Sequence, residues 1–158
     1  MIRVRRARKT DAGAIAALAR ELGRWIMGQD GTTSAADVRR YAFGPQRWCD
    51  ILIATDGPTV VGYALTRHFF EGFTGRRRMF LSDLAVSADA RRAGVGERLV
   101  ARVCRHAQSL DCDAVTWECS DNNHVALAFY DKLDAERIDR VVFLSIERER
   151  INEIALSA

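Results

Sequence analysis

The sequence predicts an α/β fold with a mixed central β-sheet flanked by helices, and three observations support this prediction. Strand-like and helix-like apolar patterns alternate along the chain. The dipeptide Asp56-Gly57, which suits a tight hairpin turn, separates two strand-like segments. A strand, a glycine-containing turn, a helix and a further strand then follow one another between residues 78 and 119.

The chain starts with a predicted strand and a long predicted helix. Residues 2–5 predict the first strand, and Thr10 is a suitable N-cap for the helix that follows. The apolar residues of this helix share one face, which predicts that the face is buried. They are Ile15, Leu18, Leu22, Trp25 and Ile26.

A shorter helix and a hairpin are predicted next. Thr33 or Ser34 caps the helix, which ends near Gly44-Pro45. The hairpin strands are predicted at residues 49–55 and 59–68, joined through Asp56-Gly57.

The second half of the chain predicts a longer series of elements. In chain order, these are a strand at residues 78–86, a helix at 97–108, a strand at 114–119, a helix that starts at 121–122, and short strands at 135–138 and 141–146. Neither a repeat nor a long linker interrupts them, and a length of 158 residues is typical of one domain. We therefore predict one domain over residues 1–158.

Composition and charge exclude several classes of protein. A hydrophobic fraction of 48% with 28% charged residues excludes a disordered chain. The longest uncharged apolar runs are too short to span a bilayer, so we predict no membrane partner. The amino terminus lacks the apolar segment of a secretory signal, which predicts a cytoplasmic location. The net charge of +3 comes from arginines interleaved with acids, and this pattern favours solvated surface over a nucleic-acid partner.

The four cysteines show no Cys-x-x-Cys pair and no clustered spacing, which predicts reduced thiols and no metal site. They are Cys49, Cys104, Cys112 and Cys119. Cys119 follows a strand-like segment and is a candidate nucleophile, although the spacing identifies no base to activate it.

The turn Arg91-Arg92-Ala93-Gly94-Val95-Gly96 carries the strongest indication of a ligand. It follows a predicted strand and opens a predicted helix, whose first N–H groups lack intrahelical partners. These groups and the helix dipole favour a pyrophosphate, and the side chains of Arg91 and Arg92 add positive charge. The turn lacks the lysine of a P-loop and the third glycine of a dinucleotide fingerprint. A nucleotide-like ligand of another kind is therefore predicted.

A second segment, Asn123-His124-Val125-Ala126-Leu127-Ala128-Phe129-Tyr130, places polar groups at the ends of an apolar helix face. Ala126, Phe129 and Tyr130 are three and four residues apart and share a face, with Asn123 one turn earlier. Periodicity alone favours an ordinary core stripe for these residues.

The two segments together, in this order, resemble the Gcn5-related N-acetyltransferase superfamily. The first is similar to its Arg-x-x-Gly-x-Gly acyl-CoA loop, and the second to its Asn-x-x-Ala-x-x-Phe-Tyr segment. The resemblance implies acetyl-CoA as cosubstrate, Tyr130 as the acid that protonates the leaving thiolate, and a donor slot where the strand at residues 84–86 diverges from its neighbour. It implies that the donor is bound by Leu84, Ala85, Val86, Arg91, Arg92, Ala93, Gly94, Val95, Gly96, Asn123, Ala126 and Phe129, with the N–H of Val86 nearest the acyl carbonyl.

A narrower resemblance, to the diamine and thialysine N-acetyltransferases, covers nearly the whole chain. The segments that carry this resemblance include Gly62-Tyr63-Ala64 and the residues from Phe129 to Ala135. It implies a primary amine of a small molecule as acceptor, and a homodimer. The chain departs from this subgroup at Ser82, where a glutamate is usual, and at Asp134, where a glycine is usual. The acids that attract a polycation are also few after the first helix, which disfavours a polyamine.

Several assignments stay open at this stage. Candidate acceptor-binding residues are Trp25, Ser82, Asp83 and Glu118, and candidate bases are Asp83, Glu118 and His124. The alternatives to a small-amine acetyltransferase are a peptide or protein lysine acetyltransferase, a non-catalytic acyl-CoA sensor, and a nucleic-acid-binding module. Turnover with an amine separates the enzyme from the sensor.

Overall fold

A five-stranded sheet lies at the centre of the first part of the chain. The computed structural model describes residues 1–138 and 141–156. It divides into one unit from Met1 to Glu118 and a second unit from Cys119 onward. The sheet has the strand order β1-β2-β3-β4-β5, in which β4 and β5 are parallel and all other neighbours are antiparallel. The predicted α/β fold with a mixed sheet is confirmed. The prediction of one domain over residues 1–158 stays a prediction.

The elements of the first unit follow the predicted order. They are β1 (Ile2–Arg6), α1 (Ala12–Met27), α2 (Ala35–Phe43), β2 (Asp50–Asp56), β3 (Thr59–Glu71), β4 (Arg76–Val86), α3 (Val95–Ser109) and β5 (Ala114–Thr116), with 3₁₀ turns at Lys9–Asp11 and Ala88–Ala90. The second unit contains α4 (His124–Asp131) and α5 (Arg148–Leu156).

Helices cover both faces of the sheet, and each face has its own apolar cluster. Successive side chains of β2 point to opposite faces of the sheet. Ile51 and Ile53 pack with α1 and α2, while Leu52 and Ala54 pack with α3. A strand that is buried on both faces has a continuous apolar run, and β2 has one from Ile51 to Ala54. We call the α1 and α2 side the first face and the α3 side the second face.

A side-chain cap explains where α2 begins, whereas α1 follows a 3₁₀ turn without a side-chain cap of its own. The hydroxyl of Ser34 accepts a hydrogen bond from the N–H of Asp37, whose carboxylate accepts one from the N–H of Ser34, so the predicted cap is confirmed. The predicted cap at Thr10 is wrong. A 3₁₀ turn precedes α1, and its Asp11 carboxylate instead accepts from the N–H of Arg8 and pairs with Arg5 at 2.8 Å.

A close backbone approach sets how α3 sits on the sheet. A Cβ at Gly62 of β3 would lie 2.8 Å from the carbonyl oxygen of Ala85 and 3.2 to 3.3 Å from Leu99 and Val95 of α3. The missing side chain therefore lets the first turn of α3 lie directly over β3. This contact fixes the start of α3 beside the end of β4.

Three strand predictions are wrong in extent or in kind. Strand β5 ends at Thr116 and does not continue to residue 119. Residues 135–138 and 141–146 form no strand, because a strand requires hydrogen bonds to a neighbour and these residues belong to no ladder of the described chain. Their apolar side chains are exposed, Leu144 by 90%. Helix α5 was not predicted. Its hydrophobic residues follow no strong helical period, so the sequence gives it little signal.

Among the described residues, no helix is both long and apolar enough to cross a membrane.

Helix α4 ends in a left-handed turn that a glycine would favour. The N–H of Ala135 donates to the carbonyl of Tyr130 at 3.3 Å, and the N–H of Asp134 to that of Asp131 at 3.2 Å. This is the Schellman pattern, and Asp134 occupies its left-handed position with φ of 54°. The departure from the subgroup's glycine therefore has a conformational cost at this position.

We expect Asp134→Gly to raise the free energy of unfolding by about 1 kcal/mol, because glycine adopts positive φ without the clash of a Cβ. Urea titration measures it. The control is Asp121→Gly, at a position without positive φ. We expect this variant to be as stable as the parent chain or less stable. Equal stability of Asp134→Gly and the parent chain would contradict the prediction.

Candidate active site

Strand β4 has an open edge over its second half. Its pairing with β5 runs only from Arg78 to Phe80, opposite Ala114 to Thr116. In the chain as described, the side of β4 turned away from β3 has no partner strand from Leu81 to Val86. A slot with available backbone groups therefore opens beside this half of the strand.

The antiparallel pattern decides which N–H groups point into the slot. Ser87 donates its N–H to the carbonyl of Val61 at 2.9 Å, so these two residues form a hydrogen-bonded pair. Because such pairs alternate along a ladder, Val86 and Leu84 direct their N–H groups away from β3 and toward the open edge. Ala85 directs its N–H to β3 and buries its side chain on the first face.

The turn that follows β4 has the geometry of an anion site. A 3₁₀ turn leads into it, Gly94 has φ of 71°, and α3 begins at Val95. Apart from the adjoining backbone, no atom of the described residues lies within 4 Å of the place where a Cβ of Gly94 would stand, so the backbone is open to a ligand. Arg92 is exposed and also has positive φ, at 63°. The first N–H groups of α3 have no partner inside the helix and can hold phosphate oxygens.

Arg91 holds this turn to the end of β4 and to α1. Its Nε donates to the carbonyl oxygen of Val86 at 3.1 Å, and its Nη2 lies 3.3 Å from the carboxylate of Glu21. Its guanidinium also stacks on the ring of Trp25, 4.4 Å from the ring centroid. From the sequence, this side chain is associated with a pyrophosphate, and in the structure it contacts these three protein groups. The fixed carbonyl of Val86 also fixes the direction of the adjoining peptide.

The C-terminal end of α1 does not face the core as predicted. Trp25 is 67% exposed and Ile26 is 71% exposed, whereas Ile15 and Leu18 are buried on the first face. The helix continues beyond the edge of the cluster it packs against, so its last turn meets solvent and Arg91 instead. Trp25 thus lies beside the turn that Arg91 begins.

A β-bulge separates Ser82 from the regular pairing of β4. Leu65 of β3 pairs with Asp83 and Thr66 pairs with Leu81, which leaves Ser82 without a partner on β3. The bulge reverses which residues face each side of the sheet. Met79 and Leu81 face α3 before it, and Ala85 faces α1 and α2 after it. The exposed Ser82 lies at the reversal itself.

Asp83 is the half-buried carboxylate of this region. One of its oxygens, Oδ2, accepts a hydrogen bond from the hydroxyl of Tyr63 at 2.8 Å. Burial raises the pKa of Asp83, and the hydrogen bond from Tyr63 partly opposes that rise. Burial also raises the pKa of Tyr63, which keeps its proton. The other two candidate bases, Glu118 and His124, are exposed.

The cysteines carry no sign of activation in the part of the chain that the structure describes. All four are free thiols, and burial raises the pKa of Cys49, Cys112 and Cys119. A raised pKa keeps a thiol protonated and weakens it as a nucleophile. No group of three metal-ligating side chains occurs within residues 1–138 and 141–156.

The second unit presents the predicted Tyr130 helix, with Asn123 as its cap. The side chain of Asn123 accepts a hydrogen bond from the N–H of Ala126 at 3.1 Å. The rings of Phe129 and Tyr130 meet edge to face with centroids 5.2 Å apart. Burial, and to a lesser extent the charge of a Cys119 thiolate, raises the pKa of Tyr130 to about 12. The phenol therefore keeps its proton at neutral pH.

Two residues of the region were not identified from the sequence. Tyr63 lies within an apolar strand. Because a buried phenol needs a hydrogen-bond partner, its position in that strand could have indicated a polar partner nearby. Glu21 lies on a helix with other charged residues, and nothing in its spacing indicates that it meets Arg91, 70 positions later.

Comparison with known proteins identifies what the chain is similar to. A sequence model described as the acetyltransferase (GNAT) family matches residues 15–135. The thialysine N-epsilon-acetyltransferase of Mus musculus is 28% identical over 143 residues, which are 85% of this chain and 84% of that protein.

Solved structures share the fold. An integron cassette protein from the mobile metagenome of V. cholerae has a TM-score of 0.82 at 24% identity, covering 98% of this chain and 97% of its own. An aminoglycoside acetyltransferase from an uncultured soil metagenomic sample, in complex with sisomicin, has a TM-score of 0.76 at 16% identity. The match covers 92% of this chain and 95% of that one. At these identities the similarity concerns the fold alone.

Proposed function

Because this chain belongs to the acetyltransferase (GNAT) family and is an acyl-CoA-dependent N-acetyltransferase, we propose that it transfers the acetyl group of acetyl-CoA to a primary amine of a small diamine or lysine-like molecule. The observation that carries the proposal is the continuity of the open β4 edge with the anion turn of α3. Val86 ends the strand, and Gly94 opens the helix eight residues later. One short segment thus offers N–H groups for an acyl carbonyl and for a pyrophosphate.

The residues of this segment fit the two ends of an acyl-CoA donor. The N–H groups of Leu84 and Val86 point to the open edge and suit the pantetheine arm and the thioester carbonyl. The turn from Arg91 to Gly96 suits the pyrophosphate, mainly through its backbone, since the Arg91 side chain is engaged elsewhere. We assign Asn123, Ala126 and Phe129 to the donor arm on the strength of the family resemblance.

The transfer requires one proton to leave the nitrogen and one to reach the sulfur. The lone pair of the neutral amine attacks the carbonyl carbon, the N–H of Val86 stabilises the charge that develops on oxygen, and the carbon–sulfur bond breaks. Tyr130 donates its proton to the departing sulfur. A base accepts the proton from nitrogen, and Asp83 is the best candidate because it is half-buried while Glu118 and His124 are exposed.

Two observations restrict the acceptor. The matched mouse enzyme is named a thialysine N-epsilon-acetyltransferase, which supports the side-chain amine of a lysine-like small molecule as the acceptor. The loop after α1 pairs its Asp30 with Arg24 at 2.6 Å, so this acid does not stand ready for a polycation. We place Trp25 and Ser82 at the acceptor side. The exposed apolar residues from Val141 to Ile146 are consistent with the homodimer that the resemblance implies.

Acetyl-CoA-dependent thiol release tests the proposal directly. The panel contains thialysine, lysine, polyamines, an aminoglycoside and lysine-containing peptides. We expect turnover with a lysine-like small amine and little with polyamines. Turnover with peptides alone would favour a protein lysine acetyltransferase. Binding of acetyl-CoA without turnover of any amine would favour a sensor and overturn the proposal.

A further inference from the structure

The buried phenol of Tyr63 is the main support of the Asp83 carboxylate. Tyr63 is 1% exposed and is fixed by the apolar cluster of the first face. Its hydroxyl donates to Oδ2 of Asp83 at 2.8 Å. Among the described residues the carboxylate has no other hydrogen-bond partner, so this bond alone sets its orientation.

Strand pairing brings the two side chains together. Tyr63 pairs with Ala85, and Asp83 lies two residues earlier on β4, opposite Leu65. The two side chains are diagonal neighbours on one face of the sheet, within reach of a long aromatic side chain. The bulge at Ser82 is required for this arrangement. Without it, Asp83 would share the face of Met79 and Leu81 and would enter the apolar cluster under α3.

We propose that Tyr63 is a positioning residue, which orients Asp83 so that Oδ1 accepts the proton that the acceptor amine loses. The inference rests on the proposed function and adds the residue that prepares the base. As the nitrogen bonds to the acyl carbon, its N–H proton passes to Oδ1 and the N–H bonding pair stays on nitrogen, which leaves a neutral amide. The protonated Asp83 then releases its proton to solvent.

Two features support this role. A phenol that donates to one carboxylate oxygen leaves the other oxygen with its lone pairs available. Burial raises the pKa of Asp83 toward the range of a useful base, while the Tyr63 hydrogen bond keeps it ionised over a wider pH range. The ionisable group that acts on this carboxylate is the Tyr63 phenol on β3, and the carboxylate in turn helps to raise the pKa of the Cys49 thiol just before β2. Burial keeps that thiol neutral.

The test is the pH dependence of kcat/KM in Tyr63→Phe, with the lysine-like acceptor of the panel. The base must be ionised, so activity falls as the pH falls through its pKa. Loss of the hydroxyl removes a bond that stabilises the carboxylate, which raises this pKa. We expect the acidic limb to move up by roughly one to two pH units. The pKa of the acceptor amine is the same in both proteins, so the difference belongs to the enzyme.

Tyr41→Phe is the matched control, because Tyr41 is a partly exposed residue of α2 that contacts Arg40. We expect its profile to equal that of the parent enzyme. Asp83→Asn provides the second variant, since asparagine keeps the shape and still accepts from Tyr63. We expect it to lose the part of the acidic limb that belongs to Asp83 while the part that belongs to the amine remains, and we expect Tyr63→Phe to have no further effect on kcat in that background. A purely structural Tyr63 would lower kcat equally in both backgrounds.

A titration of the Asp83 carboxyl by ¹³C NMR distinguishes failure of the proposed function from failure of the inference about Tyr63. If the parent chain acetylates no amine, the proposed function fails, and the carboxyl pKa still reports whether Tyr63 controls Asp83. If the parent enzyme is active but Tyr63→Phe leaves both the rate profile and the carboxyl pKa unchanged, the inference about Tyr63 is overturned and the proposed function stands.

Discussion

Replacement of Tyr130 by phenylalanine is expected to lower kcat by about 10²- to 10³-fold, because general acid catalysis contributes on this scale. The pKa of Tyr130 is raised to about 12, so the phenol holds its proton throughout the neutral range. In the proposed mechanism, the leaving thiolate takes that proton as the carbon–sulfur bond breaks. In the variant, water must supply it.

The substitution should leave donor binding and folding unchanged. Phenylalanine keeps the ring that meets Phe129 edge to face, and the affinity for CoA does not depend on the proton transfer. Steady-state kinetics gives kcat, and calorimetry with CoA gives the affinity. Tyr41→Phe again serves as the control, with activity equal to the parent enzyme. Full activity of Tyr130→Phe would remove Tyr130 from the acid role.

The pH profile gives a second check on the same residue. An acid with a raised pKa stays protonated until the pH approaches that value, so Tyr130 should not limit activity below about pH 11. The raised pKa of Tyr130 would be contradicted if the parent enzyme lost activity at a pH well below about 11 and this loss were absent in Tyr130→Phe.

Replacement of Gly94 by alanine is the second change with a large expected effect. Beyond the adjoining backbone, a Cβ at this position contacts no atom of the residues that the structure describes, yet it would stand where the backbone of the turn is open to a phosphate. We expect the Kd for acetyl-CoA to rise about tenfold to a hundredfold, the equivalent of one lost charge-assisted hydrogen bond. Isothermal titration with acetyl-CoA measures this.

Gly57→Ala is the matched control, because it imposes the same backbone strain away from the turn. Gly57 has φ of 55° in the β2–β3 hairpin, and a Cβ there would likewise contact no described residue other than its chain neighbours. Each variant is expected to lose about 1 kcal/mol of unfolding free energy. Only Gly94→Ala should lose affinity for acetyl-CoA. Equal affinities of the two variants would mean that the turn does not hold the phosphates.

The sequence predicted the elements whose signals are local. The Asp56-Gly57 hairpin, the Ser34 cap and the strand that leads into the Gly94 turn depend on residues within a few positions of one another. The final strands were predicted from apolar runs, and they are wrong because a strand depends on a neighbour that the run itself does not specify. The predicted extent of β5 is wrong for the same reason.

Tertiary structure decided the contacts that prepare the chemistry. The sequence by itself determined the family, the fold class, the turn at Gly94 and the Tyr130 helix, because each depends on short motifs with a fixed spacing. Only the folded chain shows that Arg91 meets Glu21 and Trp25, and that Tyr63 meets Asp83. The Tyr63 contact depends on strand register and on one bulged residue, and the Arg91 contact on how a helix end lies against the turn. Both are set by packing between segments far apart in the chain, which no local pattern encodes.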